Sequence, residues 1–243
     1  MIIKVVLFFT LLVTTKLYAQ EITVIVSEWP PYNFTKEDKV VGISTELIEQ
    51  ALKKANIEYK LVIYPFKRAL NTVQKTPYTM FYTVARTAEL ENKYKWIGPL
   101  HNIDVYLYKL NSRSDIKINS LADIKDYKTS VLMGGSVENF FMHNWFKEDI
   151  NYDVKVNSKQ LLKALFKNRT DLIPGDPLDL AYQMQEMGYK SSNIEKAYLL
   201  SNQVSYYMIA NKKIEDSIIT KIQKSLDEIL ATDEKQKIMK KYL

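Results

Sequence analysis

Short runs of β-branched residues alternate with helix-period segments along the chain from Ile22 to Tyr242. A chain whose hydrophobic period switches repeatedly between two and 3.6 folds as α/β layers with mainly parallel sheets. Ile22 to Ser27 reads as the first strand, and Pro30-Pro31 stops it because proline has no donor for the ladder. Ser44 or Thr45 opens a helix with the apolar stripe Leu47, Ile48, Ala51, Leu52 and Ala55, and Asn56 ends it. A strand is expected over 59–64, a helix over 66–75, and strands over 78–84 and 104–110. A polar stretch, Asn111 to Asp115, follows. Ser120 caps a short helix with Asp123 at N3, an acidic variant of the capping box. The pattern continues with strands at 128–133, 153–156 and 171–173 and helices at 136–146, 159–167 and 177–187. Gly188 suits the left-handed position after the last of these. A strand over 203–210 and helices over 213–231 and 233–242 close the chain.

Residues 1–19 read as a secretory signal. Lys4 precedes an apolar run from Val5 to Val13, and Ala19 supplies the small residue at the cleavage site, with Leu17 an acceptable −3 residue. The apolar run is about half of the roughly 20 residues that a membrane span needs. An uncleaved N-terminal anchor is the alternative. Cleavage near Ala19 leaves roughly 220 residues, enough for two lobes of about 110 each.

The chain has no cysteine, which excludes disulfides, thiolate zinc sites, iron–sulfur clusters and a lipid-modified N-terminal cysteine. It has two histidines, His101 and His143, far apart in sequence. No metal or cofactor is expected. The formal charge of +6 loses Lys4 and Lys16 with the leader. The remaining excess is spread over mixed faces and lacks the basic stripe of a nucleic-acid binder. Only four arginines stand among many lysines: Arg68, Arg86, Arg113 and Arg169. Each is worth attention, because lysine cannot replace a bidentate fork.

Several segments resemble, in order and spacing, the family 3 extracellular solute-binding proteins, which include the polar amino-acid receptors of ABC transporters. They are Glu28-Trp-Pro-Pro-Tyr-Asn-Phe34, Val41-Gly-Ile43 before a helix, Trp96-Ile-Gly-Pro99 and Ser120-Leu-Ala-Asp-Ile-Lys125. Further matches are Gly135-Ser136, Asp171-Leu-Ile-Pro-Gly-Asp176 and Ile238-Met-Lys-Lys-Tyr242. The resemblance implies a two-lobed type 2 periplasmic-binding-protein fold with two hinge crossings. Lobe one would span 20–108 plus 201–243 and lobe two 109–200. It implies a monomeric periplasmic protein that takes a small polar solute in the cleft, amino-acid-like or another small anion or zwitterion, with an inner-membrane ABC permease as its partner.

The candidate ligand-binding residues are Trp29, Tyr32, Arg68, Arg86, Gly135, Ser136, Val137 and Asp176. Trp29 follows the first strand and corresponds to the aromatic that flanks the ligand in the family, with a place in the core as the alternative. Tyr32 lies in the same loop. Arg68 sits at a helix start after Pro65, either at the cleft edge or facing solvent. Arg86 lies just past a strand, and an arginine in this region grips the ligand carboxylate in the amino-acid receptors. The sequence departs from that pattern, because counting back from Trp96 to Pro99 places the usual arginine at Leu90. Arg86 would share a helical face with that position, or pair structurally with an acid such as Glu89. Gly134-Gly-Ser-Val137 joins a strand to a helix whose bare N–H groups attract anions, and it lacks the Lys-Ser/Thr ending of a phosphate loop. Asp176 matches the family aspartate that holds the ligand ammonium and also reads as a helix N-cap before Pro177.

The leading reading is a receptor without chemistry. A periplasmic enzyme on the same fold would need an acid or base in the cleft, for which Glu28 is the candidate. A sensor subunit that reports solute to a membrane kinase is the third. The leader reading predicts that mass spectrometry of periplasmic extract finds a chain starting within a few residues of Gln20. Full-length protein in the membrane fraction would contradict it.

Overall fold

The computed structural model describes residues 21–144 and 146–242, so the expected leader lies outside the described residues. The first half contains β1 (Ile22–Val26), β2 (Phe34–Lys36), β3 (Lys39–Val41), α1 (Ile43–Lys54), β4 (Tyr59–Ile63), α2 (Phe66–Lys75) and β5 (Thr79–Ala85). A short helix α3 (Ala88–Glu91) leads into the long strand β6 (Lys95–Leu110). Then come β7 (Thr129–Leu132), α4 (Ser136–His143), β8 (Tyr152–Lys155), α5 (Ser158–Phe166), β9 (Ile173–Gly175) and α6 (Pro177–Glu186). A second long strand β10 (Ile194–Ala210) returns, and α7 (Asp216–Leu230) and α8 (Glu234–Met239) finish the chain.

The main sheet has the order β4-β1-β5-β10-β6-β9. β1 pairs in parallel with β4 and β5, whereas β10 runs antiparallel to β5 and β6. β9 pairs antiparallel with the far end of β6, and β7 pairs in parallel with β8. Period-two alternation sets the layers. Val24 and Val26 point into a core with Leu47, Leu52, Ile222 and Leu226 of α1 and α7, while Ile25 points the other way onto Ala69 and Val73 of α2. A separate core gathers Leu107, Ile124, Val131, Phe141, Phe146, Tyr152 and Leu172, next to a cluster of Tyr108, Leu161, Leu165, Ile173 and Leu180. The fold is thus two α/β bodies, with the β6–β10 ladder running through both.

The expected elements are present, with differences of extent. The helix expected to start at Ser120 is a 3-10 turn over Ala122–Asp126 that no side chain caps, because Asp123 instead accepts from the Asn119 and Ser120 N–H groups at 2.9 Å. β6 and β10 are much longer than the predicted 104–110 and 203–210, because they pair with each other over stretches such as Glu195–Lys196 that carry no buried apolar face. α1 is capped by Gly42, so Ser44 and Thr45 lie inside its first turn. The strand predicted at 171–173 shifts to Ile173–Gly175, because the N–H groups of Asp171 and Leu172 both donate to Lys128 O. α4 ends at His143, short of Phe146. β5 carries a kink at Thr83, a β-branched residue with φ of 64°. That left-handed backbone puts Phe81 and Val84 on one side of the strand and re-aims the segment that leads to Arg86.

Phe141 anchors the second core, stacked on Phe146 at 4.2 Å and edge-on to Tyr152 at 5.7 Å. Phe141→Ala is expected to lower stability by about 3–5 kcal/mol, read as the shift of the urea unfolding midpoint.

Candidate functional site

Trp29 sits two residues beyond Ser27 at the carboxyl end of β1, where open α/β sheets place their ligands. Its loop is stiff. Trp29 N–H donates to Asn33 O at 2.6 Å, Asn33 N–H returns to Trp29 O at 3.0 Å, and Asn33 Nδ2 donates to Ser27 O at 2.5 Å. The Trp29 ring meets the edges of Phe66 and Tyr206 at 6.5 and 5.8 Å. Tyr32 packs on Tyr206 at 5.3 Å and on His101 at 5.0 Å. Its hydroxyl donates to Asp176 Oδ1 at 3.0 Å, joining the first body to the second.

Asp176 and Pro177 start α6 as the sequence predicts. Asp176 Oδ1 also accepts from Leu178 N–H at 3.0 Å and Asp179 N–H at 2.9 Å, the geometry of an N-cap. One turn in, Asp179 is 2% exposed. Ser158 Oγ, at the start of α5, donates to Asp179 Oδ2 at 2.8 Å, and Asp179 Oδ1 is buried with no hydrogen-bond partner. The indole Nε1 of Trp29 and the amide Oε1 of Gln183 are likewise buried and unpaired.

These groups surround a cavity of about 40 Å³ lined by Trp29, Gly135, Ser136, Val137, Asp176, Asp179 and Tyr206. A larger cavity of about 500 Å³ shares Trp29, Leu132 and Gly135 with it and extends past Glu28, Phe66, Lys159 and Gln183. Ser136 and Val137 also face a third, of about 340 Å³, beside Thr87 and His143. Buried carboxylates in such a space resist ionisation. Burial raises Asp176 above the usual carboxylate range, and burial together with the charge of Asp176 pushes Asp179 up to about 8. Burial also holds Tyr32 and Tyr206 far above the usual phenol range, so both are neutral donors at any physiological pH.

The structure brings six of the eight sequence-derived residues together and leaves two apart. Trp29, Tyr32, Gly135, Ser136, Val137 and Asp176 surround the small cavity or bond to its wall. Arg68 is exposed, with its guanidinium over the Tyr64 ring at 4.1 Å. Arg86 gives its fork to Glu91, with Nε 2.7 Å from Oε2, and lies 5.2 Å from the rings of both Trp96 and Tyr207. Its partner is Glu91 rather than Glu89, which accepts from Lys93 and Asn139 instead. Leu90 is packed with Phe81 and Val84 in the first body. Glu28 is exposed and accepts from Thr35 N–H and Oγ1 at 3.1 and 2.6 Å. Asp179, Gln183 and Tyr206 escaped the sequence reading. Alternation along 203–210 offered Tyr206, but an acid at the third position of a helix reads as dipole compensation and nothing more.

Two α/β bodies with a cavity between them have the architecture of a binding protein of the periplasmic type. The chain belongs to the bacterial extracellular solute-binding proteins, family 3, whose model matches residues 22–243. No curated protein matches its sequence. Among solved structures it is similar to a histidine kinase sensor domain with similarity to periplasmic binding proteins (TM-score 0.80, 13% identity, 92% of this chain and 96% of that one). It is also similar to an ancestral arginine-binding protein bound to arginine (0.74, 19%, 91% and 98%). A third is the arginine-, lysine-, histidine-binding protein ArtJ from Geobacillus stearothermophilus (0.77, 15%, 92% and 95%). At these identities the likeness establishes the fold.

The buried acid makes a pH prediction. The folded protein keeps the Asp179 proton at pH values where the unfolded chain, with its ordinary value of 3.8, has lost it. The group therefore favours folding below that value, and the advantage fades as pH rises toward about 8. Asp179→Asn should flatten this slope and raise the melting temperature of unliganded protein at pH 8, checked by thermal unfolding at pH 5, 6.5 and 8.

Proposed function

We propose that this chain is an exported receptor that captures a small polar solute by closing two lobes on it and presents the closed form for ABC-type uptake. The observation that carries the reading is the Tyr32–Asp176 hydrogen bond, made across the two bodies at the wall of a buried polar cavity. A solute that touches both bodies lowers the free energy of the closed shape alone, and hinge closure gives a partner protein something to read. The lobes proposed are 20–108 with 201–243, and 109–200, hinged where β6 and β10 cross. Trp29, Tyr32, Gly135, Ser136, Val137 and Asp176 are the proposed contacts, with Arg68 and Arg86 at its margin. The protein would act as a periplasmic monomer, released near Ala19. Among the described residues no helix is long and apolar enough to cross a membrane.

A sensor role is the second reading, favoured by the likeness to a histidine kinase sensor domain. The genes beside this one separate the two: a permease and ATPase pair supports uptake. Binding itself is tested by a thermal-shift screen of amino acids, small carboxylates, amines and short peptides. At least one should give a saturable rise, since ligand at a hundredfold over Kd adds about 2.7 kcal/mol. Tyr32→Phe should weaken that hit about tenfold or more, because it removes a bond to a buried charged group. Conversion of the hit into product would replace the receptor reading with an enzyme.

A further inference from the structure

We propose that the cleft selects an organic cation, a ligand with an ammonium head and no carboxylate. The inference rests on the receptor reading and names its ligand class. Asp179 Oδ1 is the first ground. It is a buried acceptor with no partner in the wall of the small cavity, while Ser158 fixes the other oxygen of the same carboxylate. A buried carboxyl oxygen without a donor is costly, and an ammonium that reached it would supply both the donor and the counter-charge. Asp176 lines the same space, and the Trp29 and Tyr206 rings beside it offer π-faces that attract cations.

The opposite charge has no seat beside the head group, since Lys159 lines only the outer cavity and is exposed. No lysine or arginine lines the small cavity. The Arg86 fork is closed on Glu91. The helix terminus at Gly135 to Val137, which would otherwise attract an anion, is already faced by an acid, because Glu138 turns back to accept from Gly134 N–H. Trp29 Nε1 needs an acceptor, and next to two carboxylates a neutral oxygen or nitrogen on the ligand meets that need without repulsion.

Size divides the ligand in two. One water needs about 10–15 Å³ by this measure, so about 40 Å³ admits a head group of a few heavy atoms. The body of the ligand extends into the outer cavity of about 500 Å³. Exposed Ile63, Met133 and Val156 line that cavity together with Glu28, Asn157 and Lys159, so its wall offers the body of the ligand both apolar and polar contacts.

The test uses pairs of probes that differ by one carboxylate: lysine and cadaverine, arginine and agmatine, histidine and histamine, tyrosine and tyramine. Isothermal titration of the mature chain should show at least one amine binding tenfold or more tighter than its parent amino acid. An amino acid that binds as tightly as its amine overturns this inference and leaves the receptor reading intact. No saturable binding by any probe overturns this inference, whereas the receptor reading falls only if the wider screen is also blank. Asp179→Asn should weaken the amine at least tenfold without lowering the unliganded melting temperature, and unchanged affinity counts against the inference. A second readout needs no variant. Asp176 is the charged group facing Asp179, with Tyr32 and Tyr206 neutral beside it. A cation that ionises Asp179 must release protons at pH 7, measured in buffers of different ionisation enthalpy, and proton uptake would overturn the assignment.

Discussion

The antiparallel ladder between β6 and β10 is the constraint on which the rest depends. It runs from the Ile194–Leu110 pair in the second body to the Ala210–Lys95 pair in the first, with register shifts along its length. Each shift leaves residues unpaired and increases local twist. One lies between Ser201 and Val204, where the strands pass from one core to the other. A continuous pair of strands keeps the two bodies in register, while the interrupted hydrogen bonding makes that crossing the softest part of the ladder. Tyr206 belongs to this strand, so one side chain of the cavity wall is fixed to the element about which the bodies would turn.

The cavity owes its character to what is left unsatisfied around it. Most buried polar atoms in folded proteins have partners, and three of those without one lie on the walls of the two adjoining spaces. They are Trp29 Nε1, Asp179 Oδ1 and Gln183 Oε1. Two acids within one helical turn, held by Ser158 and by the α6 N–H groups, repel each other and resist ionisation. Their protons are the groups' answer to burial, so the charge state of this wall is set by what lies against it.

The alternating pattern, the caps and the resemblance made the fold legible, together with six residues of the candidate site. What stayed hidden was whatever depended on pairing at long range. The first half of β10 contains Glu195, Lys196, Ser201 and Asn202, which carry no strand signature, and only β6 beside them makes a strand. Arg86 carried the right charge at a plausible place, yet the kink at Thr83 and the nearby Glu91 direct its fork away from the cavity. Asp179 looked like any acid near a helix start, since its burial depends on α5 packing over it.

The loop that carries Trp29 and Tyr32 is also the cap of a helix. Pro31 O accepts from Ile43 N–H at 2.9 Å, and Tyr32 O accepts from Ser44 N–H at 2.8 Å, so recognition loop and α1 share the same hydrogen bonds. Gly42 makes this possible, because a Cβ there would lie 2.4 Å from Tyr32 O and its φ of 126° suits glycine alone. Amide-exchange protection of the first turn of α1 should therefore rise and fall with occupancy of the cleft. Evolution gains a handle on selectivity outside the pocket, since changes that loosen α1 shift Tyr32 without altering any residue that meets the guest.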